Sequence, residues 1–192
     1  MARAAAAATT SSFGIGGGRR HHLATEAADV ETIWPGCWPR WVFEEVGLFD
    51  PEMVRNQDDE LNQRIREAGG RVRFDPSIAA DYLSRGSWRG LVRQYFGYGL
   101  YKVRGIQKRP RLLRPRHLAP AALVGAVGGS AALVLIRHGW ATLGLGGVLA
   151  AWTSAAVLAA RRVAARQGAT VPAVVAAYAC VHVGYGTGMW AG

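Results

Sequence analysis

"RNQDDELNQRIREAGGRVRFDP" runs from Arg55 to Pro76, and three acids, Asp58, Asp59 and Glu60, stand at its head. Leu61, Ile65 and Ala68 follow at i, i+4 and i+7, one apolar stripe of a helix. Gly69-Gly70 ends that helix, Arg71 to Phe74 alternates as a short strand, and Asp75-Pro76 closes it. The stretch predicts a helix–turn–strand unit with its carboxylates in the first helical turn. The helix dipole favours ionised acids there. Two readings follow: the acidic start of an ordinary helix, or a general base or divalent-metal ligand. On spacing alone the ordinary helix leads by roughly three to one.

Upstream, residues 1–12 form an Ala-rich stretch with no acid, read as a short helix rather than a transit peptide. "GIGGGRRHH" (Gly14 to His22) reads as a loop, because its glycines disfavour regular structure. It lacks the spacing and the preceding strand of a phosphate cradle. His21 and His22 are adjacent, which does not suit a shared metal. "DVETIW" (Asp29 to Trp34) alternates as a strand, and Trp41–Val46 reads as a short helix stopped by Gly47.

Downstream, Ser87 is a candidate N-cap for a helix with Trp88, Leu91, Val92, Tyr95 and Phe96 at helical spacing. Arg89 and Arg93 mark a second, basic face. Such a helix, placed before membrane segments, suits the membrane interface, with packing on the extra-membrane part as the other reading.

The formal net charge is +10, yet all 13 acids precede Leu118. After it come three apolar segments, 118–136, 140–160 and 171–191, each close to the ~20 residues needed to cross a hydrocarbon core. Their Ala and Gly content suits close helix packing. Lys102, Arg104, Lys108, Arg109, Arg111, Arg114 and Arg116 precede the first segment, and Arg161, Arg162 and Arg166 follow the second. The positive-inside rule makes these sides cytoplasmic and the C-terminus external. No zinc spacing, RNA-binding aromatic signature or helix-turn-helix accompanies the charge, so nucleic acid is not an expected partner. The two cysteines, Cys37 and Cys180, form no disulfide framework or metal motif.

The order of motifs resembles the acceptor-side half of a family 2 glycosyltransferase of the GT-A fold. More narrowly it resembles the succinoglycan-biosynthesis type of membrane glycosyltransferase. The matching features are "R-x-V-F-E-E-V-G-x-F-D", the acidic "x-D-D-E-L" opening a helix, "R-I-R-E-A-G-G-R-V", "R-Q-Y-F-x-Y-G" and the terminal "HVGYGTGMWAG", with "SSFGIGGGRR" resembling the loop ahead of the acceptor region.

The resemblance implies a fold class: an α/β partial GT-A domain over 1–86, an amphipathic interfacial helix and basic linker over 87–117, and three transmembrane α-helices over 118–192. It implies an inverting transferase moving sugar from a nucleotide-sugar donor to a lipid-linked or polysaccharide acceptor. The setting would be the cytosolic face of the inner membrane, with membrane lipids as further partners. The family's E-D motif supplies the base. Here it reads Gln57-Asp58, so Asp58 matches the base, and Asp59 and Glu60 shape the acceptor site. The Q-x-x-R-W motif matches Gln94 to Tyr98, with Gly97 where the Arg would stand. Arg93, Gln94 and Tyr98 are then the expected contacts to donor diphosphate and acceptor. A divalent metal, Mg or Mn, is expected of the full family enzyme, but its D-x-D motif is nowhere in this sequence. The family's nucleotide-binding half belongs upstream of the Gly-rich loop. The expectation is therefore a fragment, a misplaced start or a remnant. The rival from another class is a non-enzymatic membrane interaction protein.

Overall fold

The computed structural model describes residues 1–16, 26–78, 80–81, 83–136 and 139–192. His21 and His22 lie outside them. The chain is mostly helical: α1 (Ala2–Thr9), α2 (Ser12–Ile15), α3 (Arg40–Val46), α4 (Gln57–Glu67), α5 (Trp88–Lys108), α6 (Pro115–Ile136), α7 (Trp140–Val163) and α8 (Val171–Ala191). Two short strands, β1 (Ala28–Asp29) and β2 (Arg73–Phe74), pair antiparallel, with Ala28 opposite Phe74 and Asp29 opposite Arg73.

That ribbon is all the sheet among the described residues, and the α/β GT-A portion expected over 1–86 is not evident. The physical reason lies in 30–34. Val30 N still donates to the Val72 carbonyl at 2.8 Å beside the ribbon, but beyond it Thr32 and the Ile33 carbonyl are hydrogen-bonded to side chains of α4. β1 is thereby confined to two residues instead of the six expected.

α4 forms where its stripe predicts. Leu61 and Ile65 are buried with Val42 of α3 and with Val72, and Ile33, Trp38 and Phe43 pack around them. Ala68 does not join the stripe: it is the exposed C-cap, and Gly69 takes the positive φ of 86° that lets the chain turn. Asn56, just before α4, also sits at positive φ, where Asn is better tolerated than most residues.

The second core is built from small residues. Ala4, Ala5, Ala7 and Ala8 of α1 are buried against Ala156, Ala160 and Ala164 at the end of α7 and Val174, Ala177 and Val181 of α8. The N-terminal helix is thus a packed element, and it ends at Thr9, one of the two ends, Thr9 or Ser12, that the sequence offers. α2 then starts at its own cap, where Ser11 Oγ accepts from Gly14 N.

α5 begins at Ser87, whose Oγ accepts from Gly90 N as its sequence predicts. It packs lengthwise on α8 with backbones nearly touching. A methyl group at Gly184 would lie 2.7 Å from the Val92 carbonyl oxygen, at Gly188 2.1 Å from that of Phe96, and at Gly192 2.8 Å from that of Leu100. From the other side, one at Gly99 would lie 2.1 Å from the Tyr185 carbonyl oxygen. The paired numbers rise together in steps of four, so α5 and α8 run in the same direction.

Two helices, α6 and α7, are long and apolar enough to cross a membrane. No residue of α6 is buried, and Leu135, Ile136, Trp140 and Leu143 around the hairpin tip are all exposed. Three spans are not shown: α8, expected as the third, is the helix on which α1, α5, α6 and α7 converge.

Candidate functional site

The first turn of α4 faces α5. Asn56 Nδ2 donates to the Tyr98 carbonyl at 3.0 Å, and Lys102 Nζ donates to Asp59 Oδ2 at 2.6 Å, one helical turn further along each helix. The other Asp59 oxygen, Oδ1, accepts from Thr32 Oγ1 at 2.7 Å, and Thr32 accepts in turn from Asn62 Nδ2 at 3.1 Å. Both carboxylate oxygens of Asp59 are therefore engaged. Lys102 is nearly buried, so this is a charge pair held largely out of water.

Glu60 points elsewhere. It is 2% exposed and accepts from Arg64 Nε at 3.0 Å and from Arg109 Nε at 2.7 Å. Arg64 continues to the carbonyls of Val46, Gly47 and Leu48 behind α3. Arg109 also reaches Glu67 at 2.8 Å. Glu60 thus joins α3, α4 and the end of α5 into one unit. Asp58 is half-buried on the same turn. The three neighbouring acids occupy three different environments.

A cavity of about 1370 Å³ lies between the α3–α4 unit and the apolar helices. Asp59, Gln94, Tyr98 and Lys102 line it, together with Trp152, His182 and Tyr185. Asp58, Glu60 and Arg93 are not among its lining residues. Gln94 is buried, donates through Nε2 to the Tyr98 hydroxyl at 3.0 Å and accepts from Arg85 Nε at 3.1 Å. Arg93 is exposed on the opposite side of α5. The structure therefore brings Asp59, Gln94 and Tyr98 together and leaves Arg93 apart from them.

Four participants were not anticipated. Thr32, Asn56 and Lys102 hold the acidic turn in place, and Arg55 lies against Gly97. A methyl at Gly97 would meet Arg55 Cδ and Nε at 2.9 Å, and the Arg55 guanidinium sits 5.8 Å from the centroid of the Tyr98 ring. A cation thus occupies the space that a side chain at 97 would need, supplied from before α4 rather than from α5. A glycine inside a helix is the sequence signal that something packs closely there.

Four carboxylates outside the cluster are held below their usual range. A hydrogen bond from Arg114 leads for Glu31, one from Lys108 for Asp50, one from Gln63 for Glu67 and one from the Ser77 side chain for Asp75. The Glu31 pairs, Arg114 at 2.6 Å and Arg116 at 3.3 Å, join the loop before α3 to the start of α6. No group of three or more His, Cys, Asp or Glu among the described residues is arranged to hold a metal ion.

The chain is similar to two curated proteins. It is 31% identical over 81 residues to the succinoglycan biosynthesis protein ExoA of Rhizobium meliloti (strain 1021), an alignment covering 42% of this chain and 24% of that protein. It is 27% identical over 95 residues to the dolichyl N-acetyl-alpha-D-glucosaminyl phosphate 3-beta-D-2,3-diacetamido-2,3-dideoxy-beta-D-glucuronosyltransferase of Methanococcus voltae, covering 49% of this chain and 30% of that one. The chain therefore aligns with less than a third of either relative's length. No family model and no solved structure matches it.

Proposed function

We propose that this chain is the acceptor-side and membrane portion of an inverting, membrane-anchored glycosyltransferase of the GT-A family 2 type. It would act in exopolysaccharide or cell-envelope glycan synthesis. One observation carries the reading. In a chain distantly similar to a succinoglycan biosynthesis protein and a glucuronosyltransferase, the acidic turn of α4 is fixed to α5 beside a large cavity that adjoins apolar, membrane-length helices.

Asp58 takes the proton of the acceptor hydroxyl. The freed oxygen attacks the anomeric carbon of a nucleotide-sugar, the bond to the diphosphate breaks, and the nucleoside diphosphate leaves with the electron pair. Attack opposite the leaving group inverts the configuration. Asp59, with both oxygens engaged, orients rather than abstracts, and Lys102 fixes its position. Gln94 and Tyr98 face the acceptor and the diphosphate, with Arg55 beside the Tyr98 ring as an added cation, while Arg93, on the opposite side of α5, is turned away from them. Glu60 supports the acceptor site through the α3–α4 unit. The donor nucleotide and its divalent metal would be held by the nucleotide-binding half that a complete enzyme of this type carries.

The small sheet supports a second reading, a non-enzymatic membrane protein that packs against partner subunits. Transfer separates the two. The full chain in detergent is given a panel of nucleotide-sugars with a lipid-linked glycan acceptor. Transfer that is lost in Asp58→Asn supports the enzyme. Equal transfer in Asp58→Asn removes Asp58 as the base, and no transfer from any donor even when a nucleotide-binding half of this type is supplied favours the second reading.

A further inference from the structure

We infer that Arg116, His117 and Tyr185 form a phosphate subsite in the cavity. Its occupant is a phosphate monoester of a long hydrocarbon chain, with the head at His117 and the chain running along α6 toward Leu123. This goes beyond the transfer reading, because such a lipid binds whether or not sugar is moved.

The polar end is built by the first turn of α6. Arg114 precedes Pro115, and its backbone N–H donates to His117 Nδ1 at 3.2 Å. A side chain in the first turn that reaches back to the residue before the helix is half of a capping box. The bond uses the Nδ1 lone pair, so the proton of the neutral ring sits on Nε2. Nε2 has no hydrogen-bond partner among the described residues, and His117 lines the cavity. Burial, followed by the charges of Lys102 and Arg116, lowers the His117 pKa to about 4. Near pH 7 the ring is therefore neutral, with one fixed donor.

Tyr185 brings a second donor. It lines the same cavity, its hydroxyl is buried with no hydrogen-bond partner, and it lies within electrostatic reach of Asp59 and Arg116. Buried polar groups are rarely left unmet. Arg116 supplies the charge. Its partner Glu31 is nearly half exposed and is shared with Arg114, and pairs of that kind are weak enough to yield to a stronger anion. Seven Lys or Arg side chains line the cavity against four Asp or Glu, so its field favours an anion. A phosphate monoester has three terminal oxygens, one for each of the three side chains.

The other end is apolar. Beyond His117 the α6 residues on the wall are Ala119, Pro120 and Leu123, joined by Trp152 of α7 and Val181 of α8. From His117 to Leu123 the helix rises about 9 Å. A free phosphate would use only the first zone and a plain hydrocarbon only the second. Lipid phosphates lie where a membrane helix passes from charged to apolar residues, which on α6 is the step from His117 to Leu118. The remainder of a long chain has the membrane beside it, since no residue of α6 is buried.

The full chain in an uncharged detergent is titrated calorimetrically with farnesyl monophosphate, farnesol, inorganic phosphate and a phosphatidylcholine. Farnesyl monophosphate is expected to bind at least about tenfold more tightly than each of the others. Tyr185→Phe removes only an unpartnered hydroxyl. It is expected to weaken farnesyl monophosphate about tenfold without lowering the unfolding temperature of the free chain. His117→Leu is expected to weaken it similarly, and His117→Gln, which both accepts from Arg114 N and donates, to restore most of the loss. Equal binding of farnesol makes the cavity merely apolar, equal binding of phosphate makes it a free-phosphate site, and equal binding of phosphatidylcholine makes the contact an ordinary lipid one. Each of these overturns the inference. So does unchanged affinity in Tyr185→Phe, a result that does not depend on the His117 variants folding. None of these measurements requires transfer, so a failed transfer assay leaves their outcome standing.

Discussion

Lys102 Nζ lies 2.6 Å from Asp59 Oδ2, and this pair ties the acidic turn of α4 to α5 with little water around it. Removing one partner of such a pair leaves the other charge stranded, at about 3–5 kcal/mol when fully buried. Asp59 keeps Thr32 and some solvent, so Lys102→Met is expected to cost about 2–3 kcal/mol. The double variant Asp59→Asn, Lys102→Met is expected to recover part of that loss, because no charge is left unpaired. Thermal unfolding of the four proteins in one detergent gives the coupling, and purely additive losses would show that the pair contributes nothing.

The neighbouring acids are expected to separate stability from chemistry. Glu60→Gln breaks a buried junction with Arg64 and Arg109 and lowers stability by about 3 kcal/mol. Asp58→Asn keeps the shape of a half-buried side chain, and its unfolding temperature is expected to fall far less than that of Glu60→Gln while transfer is lost. Equal destabilisation by the two would mean that Asp58 is as structural as Glu60.

Gly188→Ala adds a methyl where the Phe96 carbonyl oxygen would be 2.1 Å away, which only separation of α5 from α8 relieves. Overpacking of this kind costs about 1–3 kcal/mol. Gly146 of α7 has nothing within 4 Å of such a methyl, and Gly146→Ala is expected to be neutral or to stabilise by up to about 1 kcal/mol through helix propensity. Unfolding curves of the two variants in detergent check the contrast.

Acid is expected to loosen the junctions around the extra-membrane part. Glu31, Asp50 and Glu67 have carboxyls held below their ordinary values by Arg114, Lys108 and Gln63 respectively. Stability from such groups is complete above the ordinary carboxyl pKa of about 4 and is lost as pH falls through the lower folded values. The carboxylate share is expected to be flat from about pH 7 to 5 and to decline below about pH 4, while His117, whose burial lowers its pKa to about 4, takes stability away as pH falls below about 6.5. Glu31→Gln is expected to shallow that decline, and an unchanged slope would remove the Arg114 pair from the account. Because Glu31 is nearly half exposed, added salt is expected to weaken its share.

The parts legible in the sequence are those set by local chemistry. The buried Leu61 and Ile65, the glycine stop after α3 and the Ser87 cap each depend on a few neighbouring residues. What was not legible depends on distant partners. The alternation of Asp29 to Trp34 looks like a strand, but Thr32 turns to Asp59 and Asn62, and no sequence pattern announces that pairing. Gly184, Gly188 and Gly192 are visible as a small-residue repeat, and small residues also serve membrane helices, so the repeat does not name its partner. Arg55 beside Gly97 joins two helices that are far apart in the chain. In the site, the acidic turn was readable, whereas the different partners of Asp59 and Glu60 followed only from where Lys102, Arg64 and Arg109 reach.

The Phe13 carbonyl and His182 are joined across 169 positions of sequence, and α1 is buried on α7 and α8. A ribosome adding about 5–20 residues per second needs roughly 8–34 s to travel between them. The alanine helix must therefore wait for a helix made much later before it can dock fully. Its interim shelter is a matter of timing, and this bundle closes only when α8 has been delivered.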